Sequence, residues 1–263
     1  MAATPIECPG NTEAPGGSSQ LSNYSDVGVE DRPVKLLVLD VEGTLFRTEV
    51  RLPGTSLDST IWQGIAHALG PEAVREEVET HRHWEKGGYG SYLEWMKDTI
   101  SIHIRHGLSY DLFHHLISSA QYNPGVVETL SQIDRTAYEL LLISGGFREL
   151  AVRAQRDLKI PHAFAACEYL FGNNGSLEAY NLLPCDFEGK IDFIQLMLRE
   201  YGLSSKDWVF VGDGSNDVPI ARNAPISVGY RAHPDLKKVV MYAIDDFYEL
   251  VDILKLSCDA QDG

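Results

Sequence analysis

Short, nearly continuous apolar runs, each followed by a polar or glycine-containing loop, recur along the chain. They cover residues 35–39, 138–143, 208–211 and 226–228. A run of this length without alternating polar positions predicts a strand buried on both faces, and such strands are typical of parallel sheets covered by helices. Helical periods lie between the runs, over residues 126–133, 147–156 and 190–201. The repeated order of strand, loop and helix predicts an α/β fold built on a doubly wound parallel sheet.

Residues 47–122 do not follow this repeated order of strand, loop and helix. The spacing of apolar residues in this part predicts helices and no convincing strand. The predicted helices cover residues 61–69, 72–84, 92–103 and 110–119, and glycines and a proline mark the breaks between them. We therefore expect a small α-helical cap, residues 47–122, inserted after the first strand of a core formed by residues 32–46 and 123–257.

Three further segments stand out by composition. Residues 1–31 are rich in proline, glycine, serine and asparagine without an apolar period, which predicts a disordered tail because such a segment buries too little surface to offset its ordering entropy. Residues 167–184 are rich in glycine and asparagine and include Asn174-Gly175, which predicts a β-hairpin. Residues 258–263 are expected to form a flexible C-terminus.

Composition narrows the classes of function. The 263 residues include 22 basic and 38 acidic side chains, a formal net charge of −16, which repels nucleic-acid phosphates and anionic lipid surfaces. No apolar run approaches the roughly twenty residues of a membrane span, and Arg32 is the first basic residue, which argues against a signal peptide. The four cysteines form no C-x-x-C pair, so we expect reduced thiols in a cytoplasmic protein whose oligomeric state stays open.

Residues suited to phosphoryl transfer follow the predicted strands or begin a helix. They form four segments, Asp40-Val41-Glu42-Gly43-Thr44, Ser144-Gly145-Gly146-Phe147, Lys190 and Gly212-Asp213-Gly214-Ser215-Asn216-Asp217. Phosphoryl transfer needs a nucleophile, a divalent ion and donors around the phosphoryl oxygens. Asp40, Asp213 and Asp217 offer the hard oxygens that Mg²⁺ prefers. Hydroxyls, the lysine and loop N–H groups could hold the phosphate.

These four motifs, in this order, resemble the haloacid dehalogenase superfamily and, within it, the phosphoserine-phosphatase-like group. That group reads D-x-D-x-T, S-G-G-F, a lysine at a helix start, and G-D-G-x-N-D. The resemblance covers about residues 34–254 and includes a helical cap between the first two motifs. It implies an Mg²⁺-dependent phosphatase that cleaves the phosphomonoester of a small metabolite through an aspartyl-phosphate.

The resemblance also implies a role for each motif residue. Asp40 would be the nucleophile, Glu42 the general acid and base, and Lys190 the cation that neutralises Asp40 and binds the phosphoryl group. The implied phosphate-binding residues are Thr44, Ser144, Gly145, Lys190 and Asn216. The implied Mg²⁺ ligands are Asp40, Asp213 and the backbone carbonyl of Glu42, with Asp217 in support.

Glu42 is the first departure from the family pattern, which usually has aspartate there. A similar D-x-E-G-T stretch occurs in the enolase-phosphatase branch of the superfamily, so the longer side chain is compatible with catalysis. We therefore expect an active enzyme. A phosphotransferase, in which a second metabolite replaces water, and a catalytically impaired binding protein are the alternatives.

The second departure concerns the cap. Phosphoserine phosphatases of this type carry a glutamate and an arginine that hold the substrate ammonium and carboxylate, and the aligned residues here are Ser59 and Thr99. We therefore expect a substrate other than phosphoserine, with true phosphoserine phosphatase activity as the alternative. Arg47, Glu49 and Arg51, in a longer loop, are candidates to compensate.

Histidines cluster in the predicted cap, which holds seven of the nine in the chain: His67, His81, His83, His103, His106, His114 and His115. No complete ligand set follows a regular spacing, so we expect solvated or core-edge histidines rather than a metal site. One or two of them are candidates for substrate contact, since a cap must offer the polar groups that set specificity.

Overall fold

The computed structural model describes residues 35–52 and 54–259. The predicted tail, residues 1–31, lies outside this part. The helix at the C-terminus runs through residue 259, so the first two residues of the segment predicted to be flexible, 258–263, are helical, and the remainder lies outside the described residues. None of the described helices has the length and apolar character that a membrane crossing requires.

A seven-stranded sheet lies at the centre of the fold. The strands of the described chain are β1 (Lys35–Leu39), β2 (Glu49–Leu52), β3 (Thr55–Asp58), β4 (Tyr138–Phe147), β5 (His162–Phe171), β6 (Leu177–Leu182), β7 (Trp208–Gly212), β8 (Ile226–Tyr230) and β9 (Tyr242–Ile244). The sheet order is β6-β5-β4-β1-β7-β8-β9. All neighbours are parallel except β5 and β6, which confirms the predicted doubly wound α/β fold.

The described helices either cover the two faces of this sheet or belong to the segment between β1 and β4. They are α1 (Ile61–Leu69), α2 (Pro71–Glu85), α3 (Tyr92–Arg105), α4 (Tyr110–Ser119), α5 (Val126–Gln132), α6 (Arg148–Leu158), α7 (Gly189–Tyr201), α8 (Val218–Asn223), α9 (Pro234–Lys237) and α10 (Glu249–Asp259). In β1, Leu37 and Leu39 belong to the apolar cluster on one face, and Leu36 and Val38 to the cluster on the other. Burial on both faces explains the unbroken apolar run.

The segment between β1 and β4 contains the four predicted helices α1–α4 and one element that the sequence did not predict. Strands β2 and β3 pair as an antiparallel hairpin, which corrects the expectation that residues 47–122 contain no strand. Each strand has four residues, and only Val50 among them is buried, so no apolar alternation marks them. The Pro53-Gly54 dipeptide in the sequence is the turn signal that could have found the hairpin.

The other predicted hairpin is present, with a longer first strand. Strands β5 and β6 pair antiparallel across the loop that contains Gly172 and Gly175. The first half of β5 also extends the parallel sheet next to β4. The length of β5 depends on its pairing with both β4 and β6. The local sequence pattern of β5 does not contain this information.

Candidate active site

Three central strands bring the predicted motifs to one edge of the sheet. Strand β1 lies between β4 and β7 with parallel register, so the loops after all three strands meet at their carboxyl ends. Asp40 follows β1, Ser144 lies near the end of β4, and Asp213 follows β7. This edge is where doubly wound sheets place their ligand sites.

Lys190 is the central cation of this edge. It is the second residue of α7 and is 0% exposed. Its Nζ donates to Asp40 Oδ1 at 2.6 Å and to Asp217 Oδ1 at 2.8 Å. Burial alone would lower the pKa of Lys190, but the surrounding carboxylates outweigh burial and hold this pKa well above its usual value. The ammonium therefore stays charged between its two partners.

Three carboxylates form a cluster beside this ammonium. One oxygen from each of Asp40, Asp213 and Asp217 lies within 4.8 Å of the other two. Burial raises the pKa of Asp40 well above its usual value, against the opposing charge of Lys190. Burial, followed by the charge of Asp217, raises the pKa of Asp213 to about 7. One lysine does not balance three acids, so the cluster is suited to a divalent cation.

The donor set of the cluster fits Mg²⁺. All side-chain ligands are carboxylates, the hard oxygens that this ion prefers, and no hydrogen bond from the described residues reaches the Glu42 carbonyl oxygen. Gly43 makes room for the set, since a Cβ built there would lie 2.1 Å from Asp213 Oδ2. Gly43 also has a φ of +91°, which favours glycine.

The motif after β7 is held together by Asp217. Its Oδ2 accepts from the backbone N–H groups of Asp213 and Gly214, both at 3.1 Å, so both oxygens of Asp217 have protein partners. The Thr44 hydroxyl donates to Asp213 Oδ1 at 2.8 Å. Thr44 therefore orients a metal-ligand candidate in this structure, and its phosphate-binding role stays a prediction.

Glu42 connects the loop after β1 with the cap. Its Oε1 accepts from the N–H of Ile61 at 2.5 Å, and Ile61 is the first residue of α1, capped by Thr60. The first N–H groups of a helix have no partner within the helix, so the carboxylate satisfies one of them. Burial raises the pKa of Glu42 to about 7, against the opposing hydrogen bond from Ile61.

The loop at the end of β4 faces both Glu42 and the cap. Ser144 Oγ accepts from the Gly146 N–H at 3.0 Å. A Cβ on Gly146 would lie 3.4 Å from Glu42 Oε2, so this glycine lets the carboxylate approach the loop. The Tyr92 hydroxyl, from α3, donates to the Gly145 carbonyl at 3.2 Å, which ties the cap to the predicted phosphate-binding segment.

Asp186 belongs to the site although the sequence analysis did not identify it. Its Oδ1 accepts from Asn216 Nδ2 at 2.8 Å and lies 4.0 Å from Lys190 Nζ. A Cβ on Gly145 would lie 2.4 Å from its carboxyl group. Asp186 thus links three motifs, and its spacing of four residues before Lys190 was the available signal.

The cap residues predicted to compensate make no polar side-chain contact with the motifs in the described part of the chain. Arg47 and Arg51 are exposed, and Glu49 is partly buried on β2. Within residues 35–52 and 54–259, none of the three has a side-chain hydrogen bond or ion pair with a motif residue. Ser59 and Thr99 are buried, and the Thr99 hydroxyl donates to the Trp95 carbonyl at 3.2 Å.

The chain is similar in sequence to proteins of a known family. A family model described as haloacid dehalogenase-like hydrolase matches residues 34–225. A phosphoserine phosphatase from Lactococcus lactis subsp. lactis is 26% identical over 217 residues, 80% of this chain and 89% of the relative. Phosphoserine phosphatase SerB2 from Mycobacterium tuberculosis is 26% identical over 222 residues, 82% of this chain and 50% of the relative's length.

A solved structure of a phospho-aspartyl intermediate analogue of phosphoserine phosphatase shares the fold. Its TM-score is 0.66 at 20% identity, and the match covers 84% of this chain and 99% of that one. The family match extends over most of the chain and includes the motifs that meet at the sheet edge. The chain therefore belongs to the haloacid dehalogenase-like hydrolase family, as an enzyme of its phosphoserine-phosphatase-like phosphatase group.

Proposed function

We propose that the protein is an Mg²⁺-dependent phosphomonoesterase that hydrolyses a small phosphorylated metabolite through an aspartyl-phosphate on Asp40. The observation that carries this proposal is the buried Lys190 ammonium, which holds Asp40 at the same sheet edge as Asp213, while the Glu42 carboxylate faces the Ser144 loop. Nucleophile, cation, metal ligands and acid are then all present around one phosphoryl group.

In the first step, the Asp40 carboxylate attacks phosphorus and the P–O bond to the alcohol breaks. Lys190 neutralises charge on Asp40 and on the phosphoryl oxygens. Ser144, Gly145, Asn216 and Thr44 are the proposed phosphate-binding residues. Glu42 gives its proton to the departing oxygen, and its place between the Ser144 loop and the N-terminus of α1 supports this role.

In the second step, Glu42 takes a proton from water, which attacks the phosphorus of the aspartyl-phosphate and restores Asp40. Mg²⁺, when held by Asp40, Asp213 and the Glu42 carbonyl, would supply positive charge to the phosphoryl oxygens. Asp217 supports that site by fixing the backbone of Asp213.

The proposed substrate differs from phosphoserine. Ser59 and Thr99 offer hydroxyls where a carboxylate and a guanidinium would bind an amino acid. The charged candidates Arg47, Glu49 and Arg51 make no hydrogen bond or ion pair with a motif residue among the described residues. Because the similar proteins are named phosphoserine phosphatases, phosphoserine is the alternative substrate. The proposed compartment is the cytoplasm, which agrees with the free thiols of Cys167 and Cys185.

The test is phosphate release from a panel of phosphomonoesters that includes phosphoserine and p-nitrophenyl phosphate, with Mg²⁺ or with excess chelator. We expect Mg²⁺-dependent turnover that Asp40→Asn abolishes, with phosphoserine at least tenfold below the best substrate because it lacks charged partners. Full turnover in chelator would contradict the metal dependence. Transfer of phosphate to an added alcohol would identify a phosphotransferase, and binding without turnover would identify an impaired enzyme.

A further inference from the structure

Buried polar atoms without partners remain in the cap after the catalytic residues are accounted for. Ser59 Oγ, Trp95 Nε1 and His103 Nε2 are buried and have no hydrogen-bond partner among the described residues. His103 is 0% exposed. Glu149 Oε2 and Tyr230 Oη, outside the cap, are the other such atoms of the described residues. A buried donor or acceptor without a partner is costly, so the three cap atoms are available to a ligand that supplies the missing contacts.

The position of His103 relates these atoms to the active site. Tyr92, Thr99 and His103 recur at helical spacing on one face of α3, the face whose Tyr92 hydroxyl contacts Gly145. His103 lies about 6 Å further along the helix axis than Thr99. Its ring stacks on Trp62, with centroids 5.7 Å apart, and Trp62 follows the residue that binds Glu42. His103 therefore lies on the same helix face as Tyr92, at a position further from the Gly145 loop.

The hydrogen bond of His103 decides what its free nitrogen can bind. Its Nδ1 lies 2.6 Å from the hydroxyl of Tyr169 on β5. Burial lowers the pKa of His103 to about 3, so the ring is neutral. With the Tyr169 hydroxyl donating to Nδ1, Nε2 carries the proton. That N–H requires an acceptor.

Glu77 supplies an acceptor on the facing helix. Thr80, one turn after Glu77 on α2, lies with its Oγ1 3.5 Å from Thr99 Oγ1, which puts Glu77 level with the next turn of α3 and His103. Its carboxylate has no side-chain hydrogen bond or ion pair within the described chain, and burial raises its pKa to about 7. Burial raises the pKa of Tyr169, and the charge of Glu77 adds to this shift. Glu77 and His103 thus lie at the same level of facing helices, and the carboxylate does not itself reach Nε2, so a ligand group between them would meet one acceptor and one donor.

No buried lysine or arginine of the described cap accompanies Glu77 and His103, and the nearby His106 imidazole is already engaged by Glu76 at 3.1 Å. Every lysine and arginine of the cap is exposed to solvent: Arg47, Arg51, Arg75, Arg82, Lys86, Lys97 and Arg105. A substrate carboxylate on this face would therefore meet Glu77 without a compensating charge, which is unfavourable in a buried place. A hydroxyl group suits the pair, because it accepts from Nε2–H and donates to the carboxylate.

We propose that the leaving group is a neutral polyhydroxylated alcohol, a polyol or sugar without a carboxylate, whose distal hydroxyls bind His103 and Glu77 while Ser59 and Trp95 bind hydroxyls nearer the phosphate. The aromatic ring of Trp62 gives such a ligand an apolar wall. This inference rests on the proposed phosphomonoesterase function and names its substrate class.

The first test uses the unaltered full-length protein with Mg²⁺ and two matched sets of esters. One set is a hexitol phosphate, hexyl phosphate and phosphogluconate, and the other is glycerol phosphate, propyl phosphate and phosphoglycerate. We expect kcat/KM for the polyol ester to exceed that of the alkyl and the carboxylate ester about tenfold or more in at least one set, since an analogue without the hydroxyls leaves buried polar groups unpaired. Equal or higher kcat/KM for the alkyl or carboxylate ester in both sets would overturn the proposal.

The second test removes the two distal groups one at a time. Glu77→Met and His103→Phe should each raise the KM for the preferred polyol phosphate about tenfold, and should lower the preference for the polyol over the alkyl ester. Glu79→Met, an exposed position on the same helix, and His115→Phe, exposed on α4, are the matched controls and should leave the preference unchanged. Glu77 is only partly buried, so we expect Glu77→Met to fold. This variant provides the test if His103→Phe does not fold.

The outcomes separate this inference from the proposed function. Absence of Mg²⁺-dependent phosphate release from every ester, including p-nitrophenyl phosphate, would contradict the phosphomonoesterase itself. Turnover of p-nitrophenyl phosphate together with a preference for carboxylate esters would contradict only the substrate class. An unchanged preference in a folded Glu77→Met protein would remove Glu77 and His103 from recognition.

Discussion

Shortening Glu42 to aspartate tests the contact between the nucleophile loop and the cap. The change removes one methylene and withdraws the carboxylate by about 1.5 Å. Added to the present 2.5 Å between Oε1 and the Ile61 nitrogen, this gives about 4 Å, which is beyond hydrogen-bond distance. A hydrogen bond to a charged group contributes about 1.5–3 kcal/mol. If this bond positions the acid in the transition state, the rate should fall about 10–150-fold.

The assay is the initial rate of phosphate release with saturating Mg²⁺, with Glu79→Asp, an exposed site on α2, as the control. Glu42→Gln is measured beside it, because the amide keeps the length of the side chain and cannot exchange a proton. With p-nitrophenyl phosphate, whose leaving group departs without protonation, we expect Glu42→Gln to show a burst of p-nitrophenolate. We also expect a phosphate adduct on Asp40 in intact-protein mass spectrometry.

Two results would refute this reasoning. Activity of Glu42→Asp at or above that of the unaltered protein would show that the longer side chain is not adapted to its place beside α1. Unaltered rates in Glu42→Gln, without a burst, would remove Glu42 from acid and base catalysis.

Further predictions concern the carboxylate cluster. Lys190→Met should lower the unfolding free energy in denaturant titrations by about 3–5 kcal/mol, more at about pH 8 than at about pH 5, where the acids can protonate. A larger loss of unfolding free energy at about pH 5 than at about pH 8 would contradict this prediction. In chelator, stability should fall as the pH rises from about 4 to about 7, because Asp213, whose pKa is raised to about 7, holds its proton more tightly when folded; Mg²⁺ should remove this slope in the same titration. Thr44→Val should raise the Mg²⁺ concentration for half-maximal rate more than the substrate KM, since its hydroxyl orients Asp213; the reverse order would assign Thr44 to phosphate.

Much of the core and its motifs could be predicted from the sequence because each signal is local. An apolar run such as that of β1 is required wherever a strand is buried on both faces, and the residues after such a strand lie at its carboxyl end. Parallel order then places the loops of Asp40, Ser144 and Asp213 at one edge. The helices α1 and α4 cover the predicted residues 61–69 and 110–119, because the apolar spacing and the glycine breaks that predict them are local.

Other features depended on contacts between residues far apart in the chain. Asp186 contacts Asn216, which is 30 residues away in the chain, and lies near Lys190, which is four residues away. Only the packing of α7 against the loop after β7 brings Asn216 to the other two. The strands β2 and β3 are too short and too exposed to show a period. Glu42 and Ile61 are 19 residues apart, and no local pattern states that a helix N-terminus will meet that carboxylate. Local sequence determines elements through backbone hydrogen bonding and burial, whereas long-range packing alone decides which unsatisfied polar groups meet.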